Sequence, residues 1–406
     1  MDDKNESNVF DNKEDAQLSL LDLPIEIFLH ICSFLEASTV VHSLSLVCKQ
    51  FHLILKDDSL WKSRIKQIWP DVNYPILHPA TSDNLFWKLS CVAIEKETAQ
   101  WRNYPASVNS YTINDSYSTI DALLLIENGA AGIAGARDRS LFYWRNDDSN
   151  VDLLKKDFLE VSIESAHNGW IWDLTKIDDT LYSCGWDQTV KSWALLTTGL
   201  FRKQIYELTT AGALLCISSC PEQSLFATGG YNRSIFMFDS RMGTKPFKQY
   251  RPHTAAVIKL AMNSQYILSA SEDKTVSIWD QRAKRVLKSI TISNEAFPMC
   301  ISMQQNCVCV GDNVGNVHIL NPRKNFELVK SYPTGHTNTI TGIHMTRGCL
   351  ITSSTDGTVR ISSATDPPKI ITTLISGFGE IAGMDYLNGV LAISGPEITV
   401  IHPKLK

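Results

Sequence analysis

Apolar positions between residues 18 and 100 recur at helical spacing, and one segment is unusually apolar for a surface helix. In LDLPIEIFLHICSFL, residues 21–35, the helical part contains only three polar residues, Glu26, His30 and Ser33. Their spacing places them on one arc of roughly 60° of the helix. A surface helix usually hides a single apolar stripe against its own domain. The pattern therefore predicts a helix with more apolar surface than one contact can cover.

Three further segments predict helices before the pattern changes. The segment 38–58 starts at a capping residue, Ser38 or Thr39, and continues with apolar residues at helical spacing. The segment 58–70 starts at Asp58 or Ser59 and ends at Pro70. The segment 82–103 predicts a longer helix that ends near Pro105.

From about residue 104 the chain consists of short β-runs and turns that repeat. The segments SCGWDQTVKSW, SASEDKTVSIWD and TSSTDGTVRISS each read as a strand, a turn that carries Asp, and a second strand. A fourth copy is AGARDRSLFYW, and degenerate copies are TGGYNRSIFMFD and VGDNVGNVHILN. The position that holds Trp in the clearest copies recurs at 144, 193, 238, 279, 320 and 362. A period of about 40–45 residues with four strands per unit is that of a β-propeller blade.

A histidine accompanies three of these repeats at a fixed interval, twenty residues before the Asp of the turn. Such sets resemble the structural tetrad of WD repeats. Their physical sense is that a buried carboxylate must be hydrogen-bonded, and that His, Ser or Thr, and Trp can extend the bond chain between strands. The predicted sets are His167–Ser183–Asp187–Trp193, His253–Ser269–Asp273–Trp279 and His336–Thr352–Asp356.

The number of blades follows from the six recurring positions listed above and from the two ends of the repeat region. Those positions indicate six blades, and residues 389–403 resemble the inner hairpin of a seventh blade. A strand near residues 107–113 can close the ring by completing the last blade. Seven blades are favoured, and six remain the alternative because the seventh lacks both the Asp and the Trp.

Composition and charge restrict the function classes. The chain has 406 residues, a net charge of -5 and ten cysteines without metal-ligand spacing. We therefore predict no metal, no cofactor and no nucleic-acid partner. Residues 1–17 are acidic and polar, which predicts a disordered tail and no secretory signal. No apolar run reaches the length of a membrane span. These features predict a protein of the cytoplasm, the nucleus or both, without membrane association.

The helical segment resembles an F-box. The motif residues are Leu23–Pro24, Glu26, Ser33–Phe34–Leu35, Val47–Cys48 and Leu60–Trp61. Followed by WD repeats, they make the whole chain similar to the F-box/WD-repeat proteins. The predicted architecture is a small all-α F-box domain followed by an all-β WD40 β-propeller. Its predicted parts are the tail (1–17), the F-box (18–69), a helical linker (70–103) and the propeller (104–406).

The resemblance implies a non-catalytic substrate receptor of a Skp–cullin–F-box ubiquitin ligase, and so no enzyme. Its F-box would bind the Skp adaptor and through it a cullin-RING ligase, and its propeller would bind an unknown client protein. A helix that is apolar almost all round can instead be central to a helical core. The residues expected to face the adaptor are Leu23, Pro24, Ile27, Phe28, Ile31, Leu35, Val47, Cys48 and Trp61.

The client is expected on the propeller face where the Asp-bearing turns emerge. Trp, Tyr and Arg are enriched in binding hot spots. The alternative is that Trp170 or Trp186 packs over the central channel. A phosphate-dependent client is not expected, because phosphate recognition needs several converging cations. The predicted client-binding residues are Arg137, Trp170, Trp186, Tyr231 and Glu272.

Two other function classes remain to be compared. An enzyme is disfavoured because the Asp–His–Ser sets repeat in three blades, whereas a catalytic constellation occurs once, and because no phosphate loop, GxSxG or HExxH motif is present. The second class is a propeller scaffold that acts outside any ubiquitin ligase, and association with the Skp adaptor separates it from the receptor.

Overall fold

The chain forms two compact units, one helical and one that contains the strands. The computed structural model describes residues 20–79, 83, 85–114, 118–145, 159–196, 199–207, 212–304 and 307–404. The predicted tail, residues 1–17, lies outside them. One unit comprises residues up to Pro70 together with Trp87–Glu95, and the other comprises Asp71–Phe86 and the chain from Lys96 onward. The segment expected to be a helical linker, 70–103, is thus divided between the units, and the α-helix among its described residues is Phe86–Arg102.

The helical segment between residues 38 and 58 is broken, in contrast to the single helix that the spacing predicts. Cys48 adopts an extended backbone conformation, and its Sγ accepts a hydrogen bond from the Phe51 N–H at 3.4 Å. It therefore ends one helical segment and caps the next. The short turn Leu44–Leu46 is a 3-10 helix. The α-helices are α1 (Ile25–Ser33), α2 (Ala37–His42), α3 (Lys49–Ile54), α4 (Asp58–Ile68) and α5 (Phe86–Arg102).

A small core and one ion pair hold the helical unit together. The rings of Phe28 and Phe51 stack with centroids 4.4 Å apart, and the Trp61 indole N–H donates to the Leu55 carbonyl at 3.0 Å. Arg64 donates to the Cys32 carbonyl at the end of α1 and pairs with Glu95. Glu95 in turn accepts the Ala37 N–H at the start of α2. These bonds satisfy backbone groups that helix ends leave without partners.

The propeller consists of seven four-stranded antiparallel sheets. The chain enters through β1 (Val108–Ile113) and then forms blade 1 from β2 (Ile120–Ile126), β3 (Ala131–Ala136), β4 (Leu141–Arg145) and β5 (Leu159–Ile163). Blade 2 contains β6 (Ile171–Ile177), β7 (Thr180–Gly185), β8 (Thr189–Leu196) and β9 (Gly199–Glu207). Blade 3 contains β10 (Leu214–Cys220), β11 (Leu225–Gly230), β12 (Ile235–Asp239) and β13 (Lys248–Tyr250).

The remaining blades follow in chain order. Blade 4 contains β14 (Val257–Met262), β15 (Tyr266–Ser271), β16 (Thr275–Asp280) and β17 (Arg285–Thr291). Blade 5 contains β18 (Pro298–Met303), β19 (Val308–Asp312), β20 (Asn316–Asn321) and β21 (Glu327–Pro333). Blade 6 contains β22 (Ile340–Met345), β23 (Cys349–Ser354), β24 (Thr358–Ser363) and β25 (Ile370–Ile375). Blade 7 contains β26 (Gly383–Leu387), β27 (Val390–Ser394) and β28 (Ile398–Pro403), with β1 as its outer strand.

The ring closes as the sequence predicts. Strand β1 pairs antiparallel with β28, from Val108 opposite Pro403 to Ile113 opposite Ile398. The first strand of the region thus completes the last blade, which would otherwise have three strands and an exposed edge at β28. The favoured count of seven blades is confirmed.

Neighbouring blades are joined by apolar layers and by polar bonds near the axis. One buried cluster, for example, combines Ile133 and Tyr143 of blade 1 with Leu174 and Trp193 of blade 2. Side chains of inner strands also accept backbone N–H groups of the next inner strand. Examples are the Ile217 N–H, which donates to Asp173 at 3.0 Å, the Leu125 N–H, which donates to Asp385 at 2.7 Å, and the Met345 N–H, which donates to Ser302 at 3.1 Å.

Candidate functional site

Helix α1 leaves a second apolar side exposed. Within this helix only Phe28 and Cys32 are buried. Ile27 and Ile31 are 47% and 37% exposed, and Phe34, directly after the helix, is 77% exposed. At 100° per residue these three project within about 60° of one another, on a side distinct from the buried pair. The helix is therefore not the centre of a helical core, and its extra apolar surface remains open.

The break between α2 and α3 exposes a second apolar group. Leu46 and Val47 are 75% and 68% exposed, and Leu53 of α3 is 68% exposed. Together with α1 they define what we call the docking surface. It consists of Ile25, Ile27, Ile31, Phe34, Leu35, Leu46, Val47 and Leu53, each at least about a third exposed.

Two of the residues expected to face an adaptor lie elsewhere. Phe28 is 2% exposed and Trp61 is 1% exposed, so both side chains belong to the core of the helical unit. The expectation that they line the surface is wrong, since Phe28 stacks on Phe51 and the Trp61 indole N–H bonds to the Leu55 carbonyl. Cys48 is half-buried, and its sulfur caps α3.

The remaining predicted residues and several that the motif did not indicate are accessible. Pro24 is exposed and Leu23 is half-buried, immediately before α1. Sequence reasoning missed Ile25, Phe34, Leu46 and Leu53, because a motif identifies residue types but not the direction of each side chain.

On the propeller, the His–Asp sets form the hydrogen bonds that their spacing predicts. His167 Nδ1 lies 3.0 Å from Asp187, and its Nε2 lies 2.7 Å from Ser183 Oγ. Trp193 Nε1 donates to the same hydroxyl at 2.9 Å. This chain of bonds ties the loop before blade 2 to its second and third strands.

The other two sets repeat the geometry. His253 lies 3.0 Å from Asp273 and 2.7 Å from Ser269, and Trp279 of this set is buried and stacks on Tyr250 at 4.1 Å between centroids. In the third set His336 Nδ1 lies 3.0 Å from Asp356, and its Nε2 lies 3.0 Å from Thr352.

The pKa directions define the protonation states of these sets. Burial lowers the pKa of His167, His253 and His336, which keeps the imidazoles neutral. Burial opposes ionisation of Asp187, but the hydrogen bonds from His167, Thr189 and Asn168 outweigh it and hold its pKa below the usual range. An ionised Asp can only accept, and so the histidine Nδ1 carries the donated hydrogen and Nε2 accepts from the hydroxyl. The sets are thus closed structural networks.

The repeat pattern of the sequence did not predict two related networks. In blade 1, Ser118 stands at the histidine position and accepts the Asp138 N–H at 2.8 Å. In blade 5, Asp312 is fully buried and bonds to His318 at 3.0 Å. Here the histidine follows the Asp by six residues instead of preceding it by twenty, so the fixed interval of twenty residues does not indicate this pair.

The predicted client face carries a continuous aromatic cluster. Trp170 and Trp186 have ring centroids 4.6 Å apart, and Tyr231 meets Trp186 edge-on at 6.0 Å. Trp172, which the sequence analysis did not single out, lies 5.9 Å from Trp186. The rings come from blades 2 and 3 because adjacent blades present equivalent turns side by side. Trp170 and Trp186 are each 37% exposed and Tyr231 is 50% exposed, so the cluster is partly packed and partly open.

Arg137 extends this cluster but is already engaged. Its guanidinium lies 5.3 Å from the Trp170 centroid and donates to Asp121 at 2.7 and 2.9 Å. It also borders a cavity of about 570 Å³ around the propeller axis, which Trp172 lines as well. Glu272 is exposed in the turn of blade 4 and lies outside the ring contacts of the cluster.

Among the residues that the structure describes, no group of three or more His, Cys, Asp or Glu side chains is arranged to hold a metal ion. No helix within those ranges is both long and apolar enough to cross a membrane.

Comparisons with known proteins place the chain in a class. Residues 20–67 match the F-box-like family, and residues 160–194, 202–239, 244–280 and 326–361 match the family of the WD domain, G-beta repeat. The chain belongs to the F-box/WD-repeat proteins, since a similarity over most of the chain accompanies both matches. It is 33% identical over 365 residues to human F-box/WD repeat-containing protein 9, a match that covers 88% of this chain and 77% of the human protein.

Two more distant similarities concern the family and the fold. The F-box/WD repeat-containing protein mec-15 of Caenorhabditis elegans is 27% identical over 328 residues, 78% of each chain. A solved structure of U3-55K superposes with a TM-score of 0.64 and 12% identity, over 74% of this chain and 99% of that one. The latter similarity supports the propeller fold alone.

Proposed function

We propose that the chain is the substrate-recognition subunit of a Skp–cullin–F-box ubiquitin ligase. The observation that carries the proposal is the docking surface of the helical unit, which lies within the residues that match the F-box-like family. Large exposed apolar patches mark interaction sites in soluble proteins. Burying one large apolar side chain stabilises by about 1.5–3 kcal/mol, so a partner that covers several of these residues gains a substantial part of its affinity here.

The partner at this surface is the Skp adaptor, bound by apolar side chains from α1 and from the segment 44–54. Among the residues expected to face the adaptor, the exposed ones are Pro24, Ile27, Ile31, Leu35 and Val47. Ile25, Phe34, Leu46 and Leu53 enlarge the same surface. The chain supplies no chemistry of its own in this role and acts by bringing a client to the ligase.

The client binds the aromatic cluster of the propeller. Trp170, Trp186 and Tyr231 are held by contacts between their rings, so their exposed faces are fixed before a partner arrives, which reduces the entropy that binding costs. The arrangement does not favour a phosphorylated client, because the guanidinium of Arg137 is neutralised by the two oxygens of Asp121.

The client role of the aromatic cluster can be tested in cells with the cullin pathway blocked. Replacing Trp170 and Trp186 by alanine removes two partly exposed rings that also support each other. We expect a set of associated proteins to disappear from the affinity-purified complex while the Skp adaptor remains. The loss should be about tenfold or more for a hot-spot pair.

The matched control for this experiment is Ile370→Ala with Ile375→Ala, in the outer strand of blade 6. Those side chains are 51% and 83% exposed and lie outside the aromatic cluster. They should leave the set of associated proteins unchanged. If the tryptophan variant and the control retain the same proteins as the wild type, the cluster is not the client site.

A further inference from the structure

A second surface lies on the other face of the propeller, where the turns within each blade lead from the first strand to the second and from the third to the fourth. Between blades 3 and 4 these turns border a cavity of about 760 Å³. We call it the rim groove. Its walls include the turn after β12, the start of β13 and the turn between β16 and β17. The Asp-bearing turns of the aromatic cluster emerge from the opposite face, so the two surfaces are separate.

The rim groove is lined by apolar side chains, and those of the turn after β12 are open. Leu225, Met237 and Trp279 line it from the strands, and Met242 and Phe247 line it from the turn after β12. Met242 is 63% exposed and Phe247 is 50% exposed, although both side chains are apolar. Methionine and phenylalanine at an open groove favour the binding of an apolar side chain of varied shape.

The rim of the groove is strongly cationic. Four basic side chains border it, and the only carboxylate in the lining is Asp239. That carboxylate is held by Arg241 at 2.6 Å. Among the described residues, no salt bridge within 4.0 Å neutralises the other three basic side chains, which are Lys248, Arg282 and Lys284. Among exposed residues nearby in the sequence, Lys245 and Arg285 are basic and Glu222 is acidic.

This local charge is opposite to that of the whole chain, whose net charge is -5. Three cations without a carboxylate partner among the described residues, beside apolar side chains, complement a ligand that carries carboxylates on both sides of an apolar anchor. We infer that the rim groove binds an acidic peptide segment with one or two apolar residues at its centre. This inference does not depend on the Skp adaptor or on the client role of the aromatic cluster.

A peptide fits this surface better than a nucleic acid does. Single-stranded nucleic acids need successive stacking platforms along a basic track. Here Trp279 already stacks on Tyr250 at 4.1 Å, and Lys248 Nζ lies over its ring at 5.5 Å from the centroid, so the indole is not a free stacking platform. Methionine and leucine side chains of the lining contribute contacts to an apolar side chain and none to a phosphate.

The test uses the purified full-length chain and a short fluorescein-labelled peptide of glutamates around one central Leu-Phe pair. We expect binding in fluorescence anisotropy that weakens about tenfold in Arg282→Glu/Lys284→Glu and about tenfold in Met242→Ser. Higher ionic strength should weaken it as well, because salt screens the exposed charges. Thermal unfolding of each variant shows whether the propeller remains intact.

The matched control is Lys324→Glu, an exposed cation in the equivalent region of blade 5. It should bind the peptide like the wild type. The inference is overturned if the peptide does not bind, if a peptide with Ser-Ser in place of Leu-Phe binds equally well, or if Lys324→Glu weakens binding as much as the double reversal. Equal or tighter binding of polyuridylate RNA, or of vesicles of phosphatidylserine, would also overturn it.

Discussion

Replacing Ile31 and Val47 together by glutamate is expected to abolish binding of the Skp adaptor while the helical unit stays folded. Both side chains are exposed, 37% and 68%, so their replacement removes no core contact. In the complex, however, each glutamate would place a charge against an apolar partner surface, which is costly unless the charge is paired. Loss of two anchors should weaken binding about 100-fold or more. Isothermal titration with the purified adaptor measures the effect.

The control for this variant introduces the same two charges at exposed polar positions of α1 and α3. Ser33→Glu with His52→Glu alters residues of these helices that are not part of the docking surface. We expect its affinity for the adaptor to stay within about threefold of the wild type, since exposed charges contribute little. An equal loss in both variants would show that charge alone, and not the apolar surface, decides the result.

Replacing Asp187 by alanine is expected to destabilise the propeller more than replacement of an exposed carboxylate. Its side chain is 6% exposed and accepts hydrogen bonds from His167, Thr189 and the Asn168 N–H. Without it these donors are buried with one partner fewer, which costs roughly 2–4 kcal/mol. Guanidinium unfolding followed by tryptophan fluorescence measures the difference. Asp179→Ala, in an exposed turn, should change the unfolding free energy by at most about 0.5 kcal/mol.

The pH dependence of that difference has a defined sign. The hydrogen bonds to Asp187 hold its folded-state pKa below the usual range, so its contribution is fully present above the pKa of an unfolded aspartate, about 4. As the pH falls further, through the folded-state pKa, the contribution is lost. The wild type and Asp187→Ala should therefore converge in unfolding free energy in strong acid. A difference that grows on acidification would contradict the ionised network.

The features that the sequence predicted well are those in which one side chain requires another at a fixed spacing. His167, Ser183 and Asp187 must be sixteen and twenty residues apart because each joins a particular loop, strand and turn of one blade. The same logic placed the closing strand, since blade 7 would otherwise lack its outer member. Local repetition thus fixes the propeller, even in blades whose motifs are degenerate.

The features that the sequence did not predict depend on direction and on neighbours from distant segments. The apolar pattern of residues 25–35 does not distinguish Ile27 from Phe28. Phe28 is nevertheless buried and Ile27 exposed, because adjacent residues of a helix point about 100° apart. The rim groove was missed for another reason. Lys248 and Arg282 belong to different blades, and the acidic balance of the whole chain conceals the cations that the fold brings together.

The central claim is that the docking surface of the helical unit, and not the propeller, binds the Skp adaptor. Hydrogen–deuterium exchange of the full-length chain with and without purified adaptor tests it most directly. We predict slower exchange in peptides that cover α1 and residues 44–54, with the propeller strands unchanged. Unchanged exchange in α1 and in residues 44–54 at saturating adaptor, or protection confined to the propeller, would contradict the account.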